Sequence, residues 1–194
     1  MKKTIFAFVA GTILLASCGG GGVSEEFKKE LAAFEADWKA TDSIAKEFGK
    51  TLAAEDSAFA AIDMTIADSV KATATPEAIA KCDSIAAICG GHNAKLDSMK
   101  TEFDGFVAGW DNDGKAWGDF KAAVEKGEKK EEDAKKELEA WKTKITDAKA
   151  KVDGWKAALD GVKSECSATC EAHKAAVAEI AAAPVVEEKG KKKK

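Results

Sequence analysis

The chain is poor in the residues that break helices or favour sheets. Among its 194 residues proline occurs twice and tyrosine does not occur. Arginine and runs of β-branched residues are missing too, whereas alanine, lysine and glutamate are abundant. Strong helix formers therefore dominate, and this excludes a β-sheet as the main architecture. The composition predicts an all-α protein, and the length leaves room for one domain.

The sequence also lacks the motifs of common catalytic chemistry. It contains no glycine-rich phosphate loop, no nucleophile elbow and no Ser/His/Asp set. Cys-x-x-Cys is missing, which argues against thiol redox catalysis, and so is the Cys-x-x-Cys-His of haem attachment. The many carboxylates stand among lysines at spacings typical of solvated helix faces. We therefore expect a protein that is not an enzyme and has no cofactor.

The first residues predict an exported and lipid-modified protein. Met1 to Lys3 is basic, and Ile5 to Leu15 is an apolar run of eleven residues. Such a run is too short to span a bilayer and fits a signal peptide. It ends in Leu15-Ala16-Ser17-Cys18, which resembles the lipobox of bacterial lipoproteins. The resemblance implies a signal peptide over 1–17, cleavage before Cys18, and diacylglyceryl and acyl (palmitate) chains on Cys18.

Several acyl chains on one residue would anchor the protein stably in a membrane. Residues 18–23 then form the lipidated cysteine and a flexible glycine leash. In the lipoprotein family, Gly19 in place of aspartate after the cysteine implies the outer membrane of the bacterial cell envelope. Export also implies an oxidising compartment for the four remaining cysteines.

The charge distribution argues against nucleic acid as a partner. The formal net charge is −4, and removal of Lys2 and Lys3 with the signal peptide lowers it to −6. The tail over 184–194 carries five lysines and two glutamates, so the body between carries −9. An acidic body repels nucleic acid and anionic lipid.

Three apolar repeats indicate the fold. Residues spaced alternately four and three apart are mostly apolar over 24–73, 76–126 and 128–183. This spacing is typical of left-handed coiled coils. Thr75-Pro76 separates the first two segments, and Gly127 separates the second from the third. We predict a long up-down-up three-helix antiparallel coiled-coil bundle of roughly 75–80 Å.

Two glycine-containing sites leave alternatives open in the second helix. Gly90-Gly91 and Asp111–Gly114 both weaken the repeat, although the four/three spacing continues through them. A turn at Asp111–Gly114 defines a competing architecture with one much longer helix. The favoured register places Trp38, Trp110 and Trp141 in one layer.

The predicted cysteine pairs follow from the turn at Gly127. Folding the chain back there places Cys89 opposite Cys166 and Cys82 opposite Cys170. Two disulfides with these pairings are predicted to join the second and third helices, the first of them contributing about 2–4 kcal/mol. The alternative is a zinc site, for which Cys82, Cys170 and His173 are the candidate ligands because zinc prefers thiolate and imidazole.

The lysine tail predicts a contact with an anionic partner. Five lysines follow Pro184 in a short, charged segment that we expect to be disordered. These candidate polyanion-binding residues are Lys189, Lys191, Lys192, Lys193 and Lys194. With the lipobox and the heptads, the terminal lysine resembles murein-lipoprotein-like helical envelope lipoproteins, and this implies peptidoglycan or another acidic partner.

We therefore predict a monomeric, membrane-anchored envelope spacer or binding stalk. The alternatives are a self-associating coiled coil and a zinc-binding lipoprotein.

Overall fold

The computed structural model describes residues 22–182, and this part of the chain is all-helical. The helices are α1 (Glu25–Ala60), α2 (Asp68–Lys71), α3 (Pro76–Glu125) and α4 (Glu131–Ala182). No strand occurs between residues 22 and 182. The predicted all-α class is confirmed. The predicted signal peptide, Cys18 and the tail over 184–194 lie outside the described residues.

The starts of α1 and α3 are capped by the residues expected. Ser24 Oγ accepts a hydrogen bond from the Phe27 backbone N–H at 3.2 Å. Thr75 Oγ1 accepts one from Ala78 at 3.3 Å, and Pro76 occupies the first helical position, where its missing N–H costs nothing. Each cap satisfies a backbone donor that a helix start otherwise leaves unpaired.

Helix α3 runs without interruption through Gly90-Gly91 and Asp111–Gly114. The turn that follows it contains Gly127, whose φ of 72° is the left-handed conformation that favours glycine. There the Gly127 N–H donates to Val124 O and the Glu128 N–H donates to Ala123 O, which is the Schellman pattern. The continuous helix excludes the competing architecture with a turn at Asp111–Gly114.

The first helix is shorter than predicted. The repeat predicted a helix over 24–73, but α1 ends at Ala60, and residues 62–67 are not helical. Asp63 Oδ1 accepts from the Thr65 N–H at 2.8 Å, a local bond that competes with helix formation. Ile66 is nevertheless buried.

The turn between α3 and α4 is longer than predicted, and α4 begins at Glu131 where 128 was expected. The Lys130 carbonyl accepts from Asp133 and Ala134 and so opens the helix. The centre of the hairpin therefore lies later in the chain. In addition, helical side chains point towards the N-terminus of their own helix. Two side chains that meet between antiparallel helices therefore have higher residue numbers than the backbone positions at the same height.

Ion pairs between the long helices show their relative directions. Lys81 pairs with Glu179 at 2.8 Å and Lys95 with Glu165 at 2.7 Å, so α3 and α4 run in opposite directions. Between α1 and α4, by contrast, the paired residue numbers rise together: Glu30 with Lys142, Asp37 with Lys149, and Glu55 with Lys163. Helix α1 also contacts α3, so each long helix packs against the other two.

The core forms along the axis in three clusters of buried side chains. In the first cluster the Trp38 and Trp110 rings stack with centroids 3.9 Å apart, and Trp141 meets Trp38 edge-on at 6.0 Å. The predicted layer of three tryptophans is confirmed. In the second cluster a Cβ at Gly49 would lie 2.8 Å from the Phe103 ring, so a larger residue there would require that ring to shift.

Candidate functional site

Two predicted sites lie outside the described residues, so they stay predictions. One is the lipidation site Cys18. The other is the polyanion-binding tail, which comprises Lys189, Lys191, Lys192, Lys193 and Lys194.

Within the described range, no helix is both long enough and apolar enough to cross a membrane. The sites that the structure does describe are a cluster of cysteine and histidine side chains and a groove between α3 and α4.

Three of the four described cysteines meet at one level of the helices. Cys89 and Cys166 lie in the second cluster of buried side chains, and Cys170 packs against that cluster. Cys89 and Cys166 are buried and Cys170 is half-buried, and all are free thiols in the structure. Burial, followed by the charges and bonds of Cys170 and Cys89, raises the pKa of Cys166 to about 12. The structure thus brings the predicted partners Cys89 and Cys166 together.

The structure does not bring Cys82 to Cys170. Cys82 packs in the third cluster with Ala176 and Ile180, whereas Cys170 packs against the second cluster. The reason is the register of α3 against α4. The turn between these helices lies later in the chain than predicted, and side chains tilt towards the N-terminus of their own helix. Cys82 of α3 therefore packs beside residues of α4 that follow Cys170 in the sequence. The two residues of the predicted Cys82–Cys170 pair thus belong to different clusters of the core.

Both histidines are buried, and each has a ring nitrogen without a hydrogen-bond partner. His92 Nε2 lies 3.0 Å from Thr169 Oγ1, and its Nδ1 lies 3.5 Å from Glu165 Oε2 without forming a hydrogen bond. Lys95 chiefly, with His92 adding to it, lowers the pKa of Glu165. His173 Nε2 is also unpaired.

Asp63, in the segment that follows α1, has a lowered pKa. Hydrogen bonds from Thr65 lower the pKa of Asp63, and His173 adds a smaller electrostatic contribution in the same direction. This places His173 near the segment between α1 and α2. Among residues 22–182, no three His, Cys, Asp or Glu side chains are grouped so as to hold a metal ion. The candidate zinc ligands Cys82, Cys170 and His173 are thus not gathered into one site.

The second site is a groove between α3 and α4 with a volume of about 780 Å³. We call it the α3/α4 groove. Its aromatic members are Phe106, Trp110 and Trp155; its charged members are Glu102, Asp113, Lys144, Asp147 and Lys151; the others are Gly105, Gly109, Ala148 and Gly154.

The aromatic side chains of the groove contact one another. Phe106 and Trp155 are half-buried, and their ring centroids lie 5.3 Å apart in an edge-to-face arrangement. The indole N–H of Trp155 donates to Glu102 Oε2 at 3.4 Å. Trp110 is 7% exposed, and its Nε1 has no hydrogen-bond partner.

The sequence interpretation assigned these aromatic residues to the core and missed the groove. The four/three spacing does place Phe106, Trp110 and Trp155 on the inner face. The missed signal is glycine at the flanking positions, Gly105 and Gly109 beside the aromatics of α3 and Gly154 beside Trp155. Flanking side chains normally cover such a seam, and glycine leaves it open.

Comparison with known proteins found no match among protein family models, curated proteins or solved structures.

Proposed function

We propose that the protein is a non-catalytic, membrane-anchored helical lipoprotein that acts as an envelope spacer or binding stalk. The lipobox ending in Cys18 supports the anchor, because lipid on that residue would hold the start of the body at a membrane surface. The described helices contribute the length. The observation that supports the proposal most is where the two ends of the helical body lie.

The start of α1 and the end of α4 lie at opposite ends of the body. Ser24 donates two hydrogen bonds to Glu131, from its backbone N–H at 2.6 Å and from its hydroxyl at 2.8 Å. Glu131 is the first residue of α4, which continues for 52 residues to Ala182. A helix of that length extends about 78 Å. A lipid at Cys18 and a ligand at the tail would therefore be separated by roughly the length of α4.

A spacer must also resist bending, and the helix contacts support this. The proposal includes an up-down-up three-helix antiparallel coiled coil. Its support is that the buried residues of α1, α3 and α4 recur four and three apart, as in Phe27, Leu31, Phe34 and Trp38. Lysines of one helix pair with carboxylates of another along the length, which fixes their register.

The lysine tail supplies the proposed contact with an anionic cell-wall polymer, such as peptidoglycan. Five of the last six residues are lysines, whereas the body is acidic. A polyanion would thus be attracted to the tail and repelled by the helices. Such binding weakens as salt rises.

The anchor is tested in bacterial cells producing the full chain, grown with an alkyne analogue of palmitate. We expect label on the wild-type protein in the outer-membrane fraction, and loss of both label and membrane association in Cys18→Ser. Equal labelling of the two proteins, or an unlabelled wild type, would contradict the proposal.

The tail is tested by co-sedimentation of the full chain with purified peptidoglycan. Changing all five tail lysines to glutamine removes the charge, and changing the same five to arginine preserves it. We expect the glutamine variant to stay in solution while the arginine variant sediments like the wild type. Sedimentation of all three to the same extent would rule out the tail as the contact.

A further inference from the structure

An aspartate, a serine and an apolar residue follow one another at five places in the chain, which we call the Asp-Ser motifs. They occupy 42–44, 56–58, 68–70, 83–85 and 97–99, and their third residues are Ile44, Ala58, Val70, Ile85 and Met99. The chain has fifteen aspartates and nine serines, which at random positions would form about one Asp-Ser pair. Composition therefore does not explain the repetition.

Side-chain packing does not explain the motifs either. All five serines are exposed: Ser43, Ser57, Ser69, Ser84 and Ser98. Aspartate and serine form helices less well than the alanine, lysine and glutamate that surround them, and they favour helix starts instead. The motif at 68–70 begins a helix, α2, but the other four lie inside α1 or α3. The two long helices thus carry these serines at a cost in helix propensity.

Ion pairs account for two of the aspartates but for none of the serines. Asp42 pairs with Lys46, and Asp56 pairs with Lys100. Three of the five serine hydroxyls donate to the carbonyl four residues earlier in their own helix, at 2.8 to 3.0 Å. Such bonds weaken a helix slightly and do not stabilise it.

The motifs of α1 and α3 repeat at the period of the coiled coil. The two motifs of α1 are 14 residues apart, and so are the two motifs of α3. This distance is two heptads, so both serines of a helix lie on the same side of it. Because the serines are exposed, a group attached to them would project from a fixed side of each helix.

The motifs also occupy one half of the helical body. Asp37, shortly before the first motif, pairs with Lys149 in the first half of α4. Lys81, just before the fourth motif, pairs with Glu179 near the end of α4. The motifs are therefore distributed from the middle of α4 to its end. The other half, which contains Ser24 and adjoins the proposed lipid anchor, has no Asp-Ser motif.

The surroundings of the serines narrow the chemistry of the group they can carry. An exposed hydroxyl is a site for covalent modification. A phosphate would be repelled by the aspartate beside it, and an acyl chain would place hydrocarbon in water. A neutral sugar is hydrophilic and bulky, so it suits an exposed serine next to a carboxylate.

We propose that the Asp-Ser motifs are O-glycosylation sites, at which a transferase recognises the carboxylate and the apolar side chain on either side of the serine. The serine Oγ attacks the anomeric carbon of a sugar carried on a diphosphate. The bond from Oγ to that carbon forms, and the bond from the carbon to the phosphate oxygen breaks. The diphosphate leaves with the electron pair, and the hydroxyl proton passes to a base of the transferase. This inference goes beyond the spacer function and rests on the export that the function requires.

The test is peptide mapping of the full chain purified from the cells that naturally produce it. Trypsin separates the motifs, because lysines divide the sequence into the peptides 40–46, 51–71, 82–95 and 96–100. We expect each of them to carry a mass increment of sugar residues, which electron-transfer dissociation locates on the serine after the aspartate. The peptide 164–174 is the internal control and should be unmodified, because its exposed Ser164 and Ser167 follow lysine and cysteine.

Asp83→Asn removes the carboxylate of one motif but keeps Ser84. We expect it to abolish the sugar on the peptide 82–95 and to leave that on 96–100. Asp104→Asn is the matched control, since Asp104 is another exposed aspartate of α3 but precedes glycine; it should leave every sugar in place.

The proposal is overturned if the motif peptides carry no sugar, carry phosphate instead, or are modified no more than 164–174. It is also overturned if Asp83→Asn keeps the sugar on Ser84. Cys18 falls in a separate tryptic peptide, 18–28. Lipid without sugar would therefore contradict this inference alone, and sugar without lipid would contradict the anchor alone.

Discussion

Trp38 of α1 and Trp110 of α3 stack face to face, with ring centroids 3.9 Å apart and planes 7° from parallel. They join two helices whose sequence positions are far apart, at the level where Trp141 brings in α4. One layer of indoles therefore ties together all three long helices. Its removal is the most direct test of the packing.

Trp38→Ala is expected to lower the free energy of unfolding by about 3–5 kcal/mol, since it removes a buried indole and leaves a cavity between three helices. Urea unfolding followed by circular dichroism measures the loss. Ile88→Ala is the control, because Ile88 is 56% exposed and its truncation should change stability by less than about 0.5 kcal/mol. Similar losses for the two variants would contradict this packing.

Gly49→Ala is expected to destabilise the protein although alanine is the better helix former. The added methyl group would lie 2.8 Å from the Phe103 ring, which Phe48, Phe106 and Trp155 hold in place. Overpacking of this kind costs about 1–3 kcal/mol, more than the gain of about 1 kcal/mol in helix propensity. Gly118→Ala, which meets nothing, should instead raise the melting temperature. A higher melting temperature for both would show that the Phe103 ring can move aside.

Glu131 is expected to make the joint between α1 and α4 sensitive to acid. Lys135 first, and then the Ser24 backbone and hydroxyl groups, lower the pKa of Glu131 from 4.5 to about 2. Because the folded-state pKa is the lower one, these bonds contribute stability that is fully present above pH 4.5. That contribution is lost as the pH falls from 4.5 to about 2.

Glu131→Gln should therefore lower the melting temperature above pH 4.5, and its difference from the wild type should shrink towards a pH of about 2. Thermal unfolding over this range, with amide exchange at Ser24, measures the effect. Glu132→Gln, on the exposed surface next to it, is the control and should follow the wild type. A difference that does not change with pH would exclude ionised Glu131 as its source.

Alkylation should distinguish the reduced cysteines. Burial and a pKa raised to about 12 keep Cys166 in the unreactive thiol form at mildly alkaline pH, whereas Cys170 is half-buried and more accessible. Iodoacetamide is thus expected to modify Cys170 first and Cys166 slowly, as measured by peptide mass spectrometry. In denaturant all four described cysteines should react alike. Faster modification of Cys166 than of Cys170 in the folded protein would contradict the burial.

Oxidation should yield a Cys89–Cys166 disulfide and leave Cys82 reduced. Cys166 of α4 and Cys89 of α3 belong to the same buried cluster, and Cys82 belongs to a different one. Peptide mapping without reduction, after equilibration in a glutathione buffer, identifies the pairs. Cys82→Ser should not change the yield, whereas Cys89→Ser should abolish the bond. A Cys82–Cys170 bond as the main product would mean that the helices adopt the register of the shorter turn.

The sequence predicted the helices reliably where a capping residue or the four/three repeat marked them. The caps Ser24 and Thr75-Pro76 and the glycine stop at Gly127 follow from backbone hydrogen bonding, which neighbouring residues decide. The four/three spacing also identified most of the buried residues. The same spacing wrongly extended the first helix beyond Ala60. Ile62 and Ile66 fit the helical spacing, but both lie in a segment that is not helical.

By itself, then, the sequence determined the all-α class, the inner face of each long helix and the layer of Trp38, Trp110 and Trp141. Only the tertiary structure decided that Cys82 is not level with Cys170, and that Gly105, Gly109 and Gly154 open a groove. The physical reason is that spacing along one helix specifies which side chains point inward. Which residue of another helix each one meets depends on the length of the turn and the lean of the side chains, and these act only once the helices are packed.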